Sequence, residues 1–248
     1  MILAFSRCAS SFLSRSLCET SLLQALRQLH GKVCIGMGSD NAAVPPHLLP
    51  EEARGLVFDC DGTLIDSMAY HYEAWKHTCD HYGLPLTASL MVELAGKPVH
   101  ELFDIITARA GKEGKVDREA FFHYKTEYYA NNPRPVHTIG AVMDIVHAGK
   151  ARGLPMAVAS GGTRHHVMKG LTETGIRPLF DAVVCGEDVA RGKPAPDAFL
   201  LAARKIGVDP AHCVGYEDAK LGMEAIKAAG FLAAVDVTLL DGYPHLLD

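Results

Sequence analysis

Two aspartates stand two residues apart at the end of an apolar run. Leu56-Val57-Phe58 leads into Asp59, Cys60, Asp61, Gly62 and Thr63 in the stretch GLVFDCDGTLIDS. Such a pair can share covalent and proton-transfer work, one carboxylate attacking and the other moving the proton. Able groups follow other apolar runs as well: Ser160, Gly161, Gly162 and Thr163 after MAVA, Lys193 in RGKPAPD after AVVCGED, and Glu217 and Asp218 after CVGY. The acidic groups are hard oxygen donors of the kind that suits Mg²⁺. A hydroxyl, glycine N–H groups and a lysine can hold the equatorial oxygens of a phosphoryl group. Together they point to phosphoryl transfer.

Each feature alone has a plainer explanation. An acidic residue after a strand is commonly a helix cap, and Asp218 would serve as an ordinary N-cap. D-x-D-G can open a calcium loop, but Leu64 stands where that loop needs Gly and Tyr70 where it needs Glu. The combination, each part after its own strand, carries the argument.

The elements that must position these groups alternate. Strands are expected at Leu56–Phe58, Met156–Ala159, Ala182–Cys185, Cys213–Gly215 and Leu232–Val235, with helices such as Ala141–Arg152 and Ala219–Ala229 between them, each followed by a stop glycine, Gly153 or Gly230. This is an α/β pattern with a mostly parallel, Rossmann-like core, whose ligands sit outside the carboxyl ends of the strands. The interval from Met68 to Pro135 breaks the alternation with helical stretches only. Inserted after the first strand, it is expected to form a helical cap over the site. The expected organisation is 55–67 with 136–248 as catalytic core and 68–135 as cap.

Composition sets the class. The chain has 248 residues, 48% hydrophobic and 21% charged, with a net charge of -5. Neither the balance nor any basic block attracts nucleic acid or an anionic membrane. No stretch reaches the roughly 18 apolar residues of a membrane span. The seven cysteines are odd in number and contain no C-x-x-C pair, so neither a disulfide framework nor a zinc site is expected. Thirteen histidines include one adjacent pair, His165-His166, and no H-E-x-x-H, so a histidine-built metal site is not expected either. Residues 1–36 are rich in Ser and Leu, with Arg7, Arg15 and Arg27 against Glu19 in the first thirty. They read as an organellar transit peptide, plastid or mitochondrial, the alternative being an untranslated or mis-assigned extension ahead of Met37 in a cytoplasmic chain. Residues 37–54 read as a linker.

DCDGTLIDS, ASGGT, GKPAPD and GYEDAKLG resemble the four motifs of the haloacid dehalogenase-like hydrolase superfamily. YHYEAWK and YEDAKLGMEAIKAAG resemble its helical-capped β-phosphoglucomutase-like group, and AAVDVTLL its fructose-1-phosphatase relatives. The resemblance covers about residues 55 to 240. It implies Asp59 as nucleophile, Asp61 as general acid/base, and Ser160 and Lys193 as phosphate-stabilising residues. It further implies Mg²⁺ held by Asp59, the backbone carbonyl of Asp61, and Asp218 with Glu217 beside it. Dehalogenases lack the second aspartate, so Asp61 points to phosphate esters.

His71, Trp75, Cys79 and Tyr82 recur on one helix face, and core packing explains Cys79 and Tyr82. His71, twelve residues after Asp59, stands at the resembled group's cap-histidine spacing, and Trp75 and Lys125 resemble its substrate contacts. Gly96 and Lys97, with Gly161 and Gly162, complete the expected substrate-binding set. In place of the mutases' G-x-x-R arginine stands Val99, with Lys97 and His100 the nearby alternatives. The expectation is a monomeric Mg²⁺-dependent phosphatase of a small phosphorylated metabolite, a sugar phosphate above all. The alternatives are a phosphosugar mutase and a non-catalytic binding protein on the same fold.

Overall fold

A computed structural model describes residues 44–94, 99–132 and 134–244, all within one compact unit, Ala43–Asp248. Residues 1–36, with the transit-peptide reading, lie outside the described residues, as do Gly96 and Lys97.

Five parallel strands form the central sheet: β1 (Gly55–Phe58), β4 (Met156–Ala159), β5 (Ala182–Val184), β6 (Cys213–Glu217) and β7 (Ala233–Asp236), in the order β5-β4-β1-β6-β7. β1 is the central strand, buried at every position, and alternation along it divides the core. Leu56 and Phe58 enter one apolar cluster with Met156, Val158, Val214 and Tyr216, covered by α5 (Gly140–Ala151) and α6 (Arg164–Glu173). Val57 enters the opposite cluster with Ala157, Ala159 and Val184, covered by α7 (Asp197–Lys205) and α8 (Lys220–Ala228). Phe58 and Tyr216, neighbours across β1 and β6, stack with ring centres 4.4 Å apart. Such contacts contribute about 0.5–1.5 kcal/mol beyond area burial.

Two further strands, β2 (Ile65–Asp66) and β3 (His137–Thr138), pair antiparallel. They were not legible in the sequence, because a two-residue strand leaves no periodicity to detect. This ribbon brackets the helical interval: α1 (Met68–His81), α2 (Ala88–Glu93), α3 (Val99–Arg109) and α4 (Arg118–Asn131) all lie between β2 and β3. These helices hold an apolar cluster of their own around Trp75, Cys79, Met91, Phe103, Ile106 and Phe121. Among the described residues, no helix is long and apolar enough to cross a membrane.

Candidate active site

The loop after β1 holds both aspartates. Asp59 continues the strand's pairing, donating its N–H to Tyr216 at 3.0 Å, and is only 6% exposed. The chain then turns at Gly62, whose φ of 85° favours glycine. A Cβ there would also lie 2.4 Å from Asp218 Oδ2, so glycine lets the loop from β1 meet the loop after β6.

Asp59, Glu217 and Asp218 converge, each offering a carboxylate oxygen within 4.8 Å of the others. Lys193 Nζ donates to Asp59 Oδ1 at 2.5 Å and to Glu217 Oε1 at 2.7 Å. Three carboxylates against one ammonium leave an excess of two negative charges if all ionise. Burial, reinforced by Glu217 and Asp61 and opposed by Lys193, pushes Asp59 up to about 7. Burial together with Glu217 and Asp59 pushes Asp218 well above the usual carboxylate range. Burial would lower Lys193, but the Asp59 and Glu217 carboxylates outweigh it and hold the lysine above its ordinary value. An all-oxygen donor set short of two positive charges fits a hard divalent cation such as Mg²⁺.

Glu217 secures the loop that leads into α8. Its Oε2 accepts from the N–H groups of Asp218 at 2.6 Å and Ala219 at 2.8 Å, while its other oxygen meets Lys193. Asp218 instead accepts from Thr63 Oγ1 at 3.1 Å. Ala219, not Asp218, occupies the N-cap of α8, and it makes no side-chain cap.

The Asp61 side chain turns away from this cluster. Its Oδ1 accepts from Ser67 Oγ at 2.6 Å and lies 3.3 Å from His71 Nε2 and 3.4 Å from His166 Nε2. Ser67 is the N-cap residue of α1 but makes no side-chain cap. It forgoes an interaction of about 1 kcal/mol and serves Asp61 instead. Burial acts to raise Asp61, yet hydrogen bonding to His166 and His71 overcomes it and holds the carboxyl well below its ordinary value. The two-carboxylate reading needs a protonated Asp61 when a leaving group departs. With these partners it is ionised, the form that can accept a proton from water.

Ser160, 2% exposed, follows β4, and its Oγ accepts from Gly162 N–H at 3.0 Å. A Cβ on Gly162 would lie 3.6 Å from Asp61 Oδ2, whereas one on Gly161 would meet open space. Gly162 therefore stands beside the aspartate loop.

The helical interval contributes unequally. His71 on α1 brings its Nε2 to 3.3 Å from Asp61 Oδ1. Trp75, one turn on, is 3% exposed and packs its indole against Phe121 and Phe122. Its shared stripe with Cys79 places it in the apolar cluster, so it is a core residue rather than an open contact surface. Lys125 Nζ lies 5.5 Å from the Trp75 ring centre and 6.0 Å from that of Tyr129. Burial lowers Lys125 to about 8 against the attraction of Asp61. Val99 is exposed at the start of α3.

Four neighbours of the site were not singled out from the sequence: Ser67, Tyr129, His166 and Tyr243. Tyr129 stacks on His71 with ring centres 5.0 Å apart, and its Oη lies 3.3 Å from His166 Nε2. Tyr243 Oη donates to the Gly62 carbonyl at 2.8 Å. The His165-His166 pair was visible as a pair, but nothing in its spacing points to Asp61. A cavity of about 20 Å³ beside Asp61, Ser67, Tyr129 and His166 has room for about one water molecule.

Comparison with known proteins places this arrangement. Fructose-1-phosphate phosphatase YqaB of Escherichia coli is 37% identical, covering 77% of this chain and 99% of that protein. β-Phosphoglucomutase of Bacillus subtilis is 30% identical, covering 73% and 81% respectively. The crystal structure of β-phosphoglucomutase from Clostridium difficile superposes with a TM-score of 0.63 at 24% identity, covering 73% of this chain and 83% of that one, a likeness of fold. The sequence model for haloacid dehalogenase-like hydrolases matches residues 53–230, and the chain belongs to that family.

Proposed function

We propose that this chain is a Mg²⁺-dependent phosphatase that hydrolyses a small sugar phosphate through an aspartyl-phosphate on Asp59. One observation carries the reading: a buried carboxylate, a lysine and two further carboxylates meet at the strand ends, with an ionised second aspartate beside them. Similarity to a fructose-1-phosphate phosphatase over nearly that protein's whole length supports the substrate class.

In the first step an Asp59 oxygen forms a bond to phosphorus while the bond to the leaving oxygen breaks, and Asp61 delivers a proton to that oxygen. In the second, Asp61 takes a proton from water as the water oxygen attacks phosphorus, restoring Asp59 and releasing phosphate. Lys193, Ser160 and the Gly161 and Gly162 N–H groups stabilise the transferring phosphoryl oxygens. Asp59, Glu217, Asp218 and the Asp61 carbonyl would hold Mg²⁺, which supplies charge neutralisation for the phosphoryl oxygens. A protonated Asp61 has to arise with the substrate, since approach of an anionic phosphate opposes the charged carboxylate. The α1–α4 segment, which sets His71 against Asp61, acts as a cap that opens to admit substrate and closes over it.

Measured phosphate release over a panel of sugar phosphates, led by fructose 1-phosphate, tests the proposal. Release from none of them would overturn it. The mutase reading has the β-phosphoglucomutase similarity in its favour, while Val99 stands where a second phosphate needs arginine. Chromatography after incubation with β-glucose 1-phosphate and its bisphosphate separates the two, glucose 6-phosphate marking a mutase and glucose a phosphatase.

Metal dependence carries its own expected result. Burial raises Asp59 to about 7, and below that pH a cation must displace its proton. Mg²⁺ affinity is therefore expected to fall by at least about tenfold per pH unit as pH drops below about 7, with Asp218 adding to the loss as it takes up its own proton. Calorimetric titration across pH 5 to 8 checks this, and a flat profile would contradict it. Asp218→Ala is expected to weaken the same binding.

Residues 1–36 are proposed as an organellar address, and the family match begins only at residue 53. A chain started at Met37 is expected to retain the kinetics of the full one. Unfolding on that truncation, seen by circular dichroism, would make the segment part of the fold.

A further inference from the structure

Asp61, His71 and His166 form a second cluster, apart from the all-oxygen one, whose candidate ligand atoms lie within 4.8 Å of one another. They come from three places: the loop after β1, the capping segment's helix α1, and the core helix α6. Both histidines present Nε2 to the same oxygen, Asp61 Oδ1, at 3.3 and 3.4 Å, and Ser67 Oγ donates to it as well. Two hydrogen bonds and a second imidazole nitrogen gathered at one carboxylate oxygen are a concentration of groups that a cation can organise. The separations also have the right size. Zinc bonds of about 2.0–2.1 Å to nitrogen and oxygen, arranged tetrahedrally, set ligand atoms about 3.4 Å apart. The remaining edge, between the histidines, lies within 4.8 Å. The adjacent cavity has room for one water-sized fourth ligand.

We propose that Asp61, His71 and His166 bind Zn²⁺ or a similar nitrogen-preferring divalent cation, and that this ion inhibits the enzyme by clamping the cap to the core. The donor sets divide the metals: imidazole favours Zn²⁺, while the carboxylates of Asp59, Glu217 and Asp218 favour Mg²⁺. Ser67 orients the ligating carboxylate, and Tyr129 packs on one histidine and meets the other. A zinc-bound Asp61 cannot move a proton, and a ligand set drawn from both α1 and α6 opposes opening. The inhibitory consequence rests on the phosphatase reading, but the binding itself does not.

Calorimetric titration of Zn²⁺ into the full chain saturated with Mg²⁺ tests the site, with Co²⁺ as a spectroscopic stand-in whose visible bands report tetrahedral nitrogen ligation. One ion per chain is expected, with affinity reduced at least about 100-fold by His71→Ala and by His166→Ala. The Co²⁺ bands should vanish in both variants and persist in Asp218→Ala. His166→Gln, which keeps a hydrogen-bond donor beside Asp61 but offers no imidazole, should lose binding equally while its circular dichroism stays native. Zinc binding that survives the histidine variants, disappears in Asp218→Ala, or is absent from the parent chain would overturn the proposal. Phosphate release is measured alongside. If ion binding depends on the histidines but no ester is cleaved, the phosphatase reading fails alone. If esters are cleaved without histidine-dependent binding, this site fails alone.

Discussion

Asp59→Asn is expected to abolish phosphate release, with a loss on the order of 10⁶-fold, the scale reached when an essential nucleophile is removed. An amide cannot form the acyl-phosphate, and no other group in the site is placed to replace it. Ser160 Oγ is engaged with Gly162 N–H, and Lys193 is held protonated between two carboxylates. The substitution preserves side-chain shape in a position only 6% exposed and removes one charge from a crowded acidic cluster, so the fold should persist. Steady-state phosphate release and a thermal melt check both halves. Turnover within tenfold of the parent chain would remove Asp59 from the role of nucleophile.

Asp61→Asn has the second largest expected effect, and its pattern is more telling than its size. Positioned proton transfer contributes roughly 10²–10⁴ in rate. With an alkyl phosphate the variant should lose about that much. With p-nitrophenyl phosphate, whose leaving group needs little protonation, the first step should be nearly spared. The second step still needs a base for water, so the aspartyl-phosphate should accumulate and nitrophenol should appear as a burst. The asparagine keeps an acceptor for Ser67 Oγ, which limits structural disturbance. Equal losses on both substrates without a burst would make Asp61 a structural residue.

The strands that carry this chemistry were legible because each is a short apolar run buried on both faces, and each ends in residues that an apolar core would not hold. Asp59, Lys193, Glu217 and Asp218 could therefore be assigned to one edge of the sheet before any distance was known. The partners of Asp61 could not. Ser67 looks like an ordinary helix cap, and His166 lies 105 residues away on another element. Only the folded chain sets both against one oxygen. Spacing was ambiguous on α1 for a related reason: it correctly grouped His71 with Trp75 on one face. It could not show that the face runs from the site at His71 into the helices' own core at Trp75. The charge of Asp61 was hidden as well, because it depends on two imidazoles brought from α1 and α6.

Covalent labelling of Asp59 tests the account's central claim most directly. Asp61→Asn enzyme is mixed with ³²P-labelled p-nitrophenyl phosphate and Mg²⁺, quenched in acid within milliseconds, digested and mapped by mass spectrometry. The account predicts one phosphoryl group per chain at most, on the peptide containing Asp59, assigned to that side chain and released by hydroxylamine. A phosphoryl group on Ser160, a histidine or any other residue would contradict it. So would complete turnover with no labelled enzyme at any quench time.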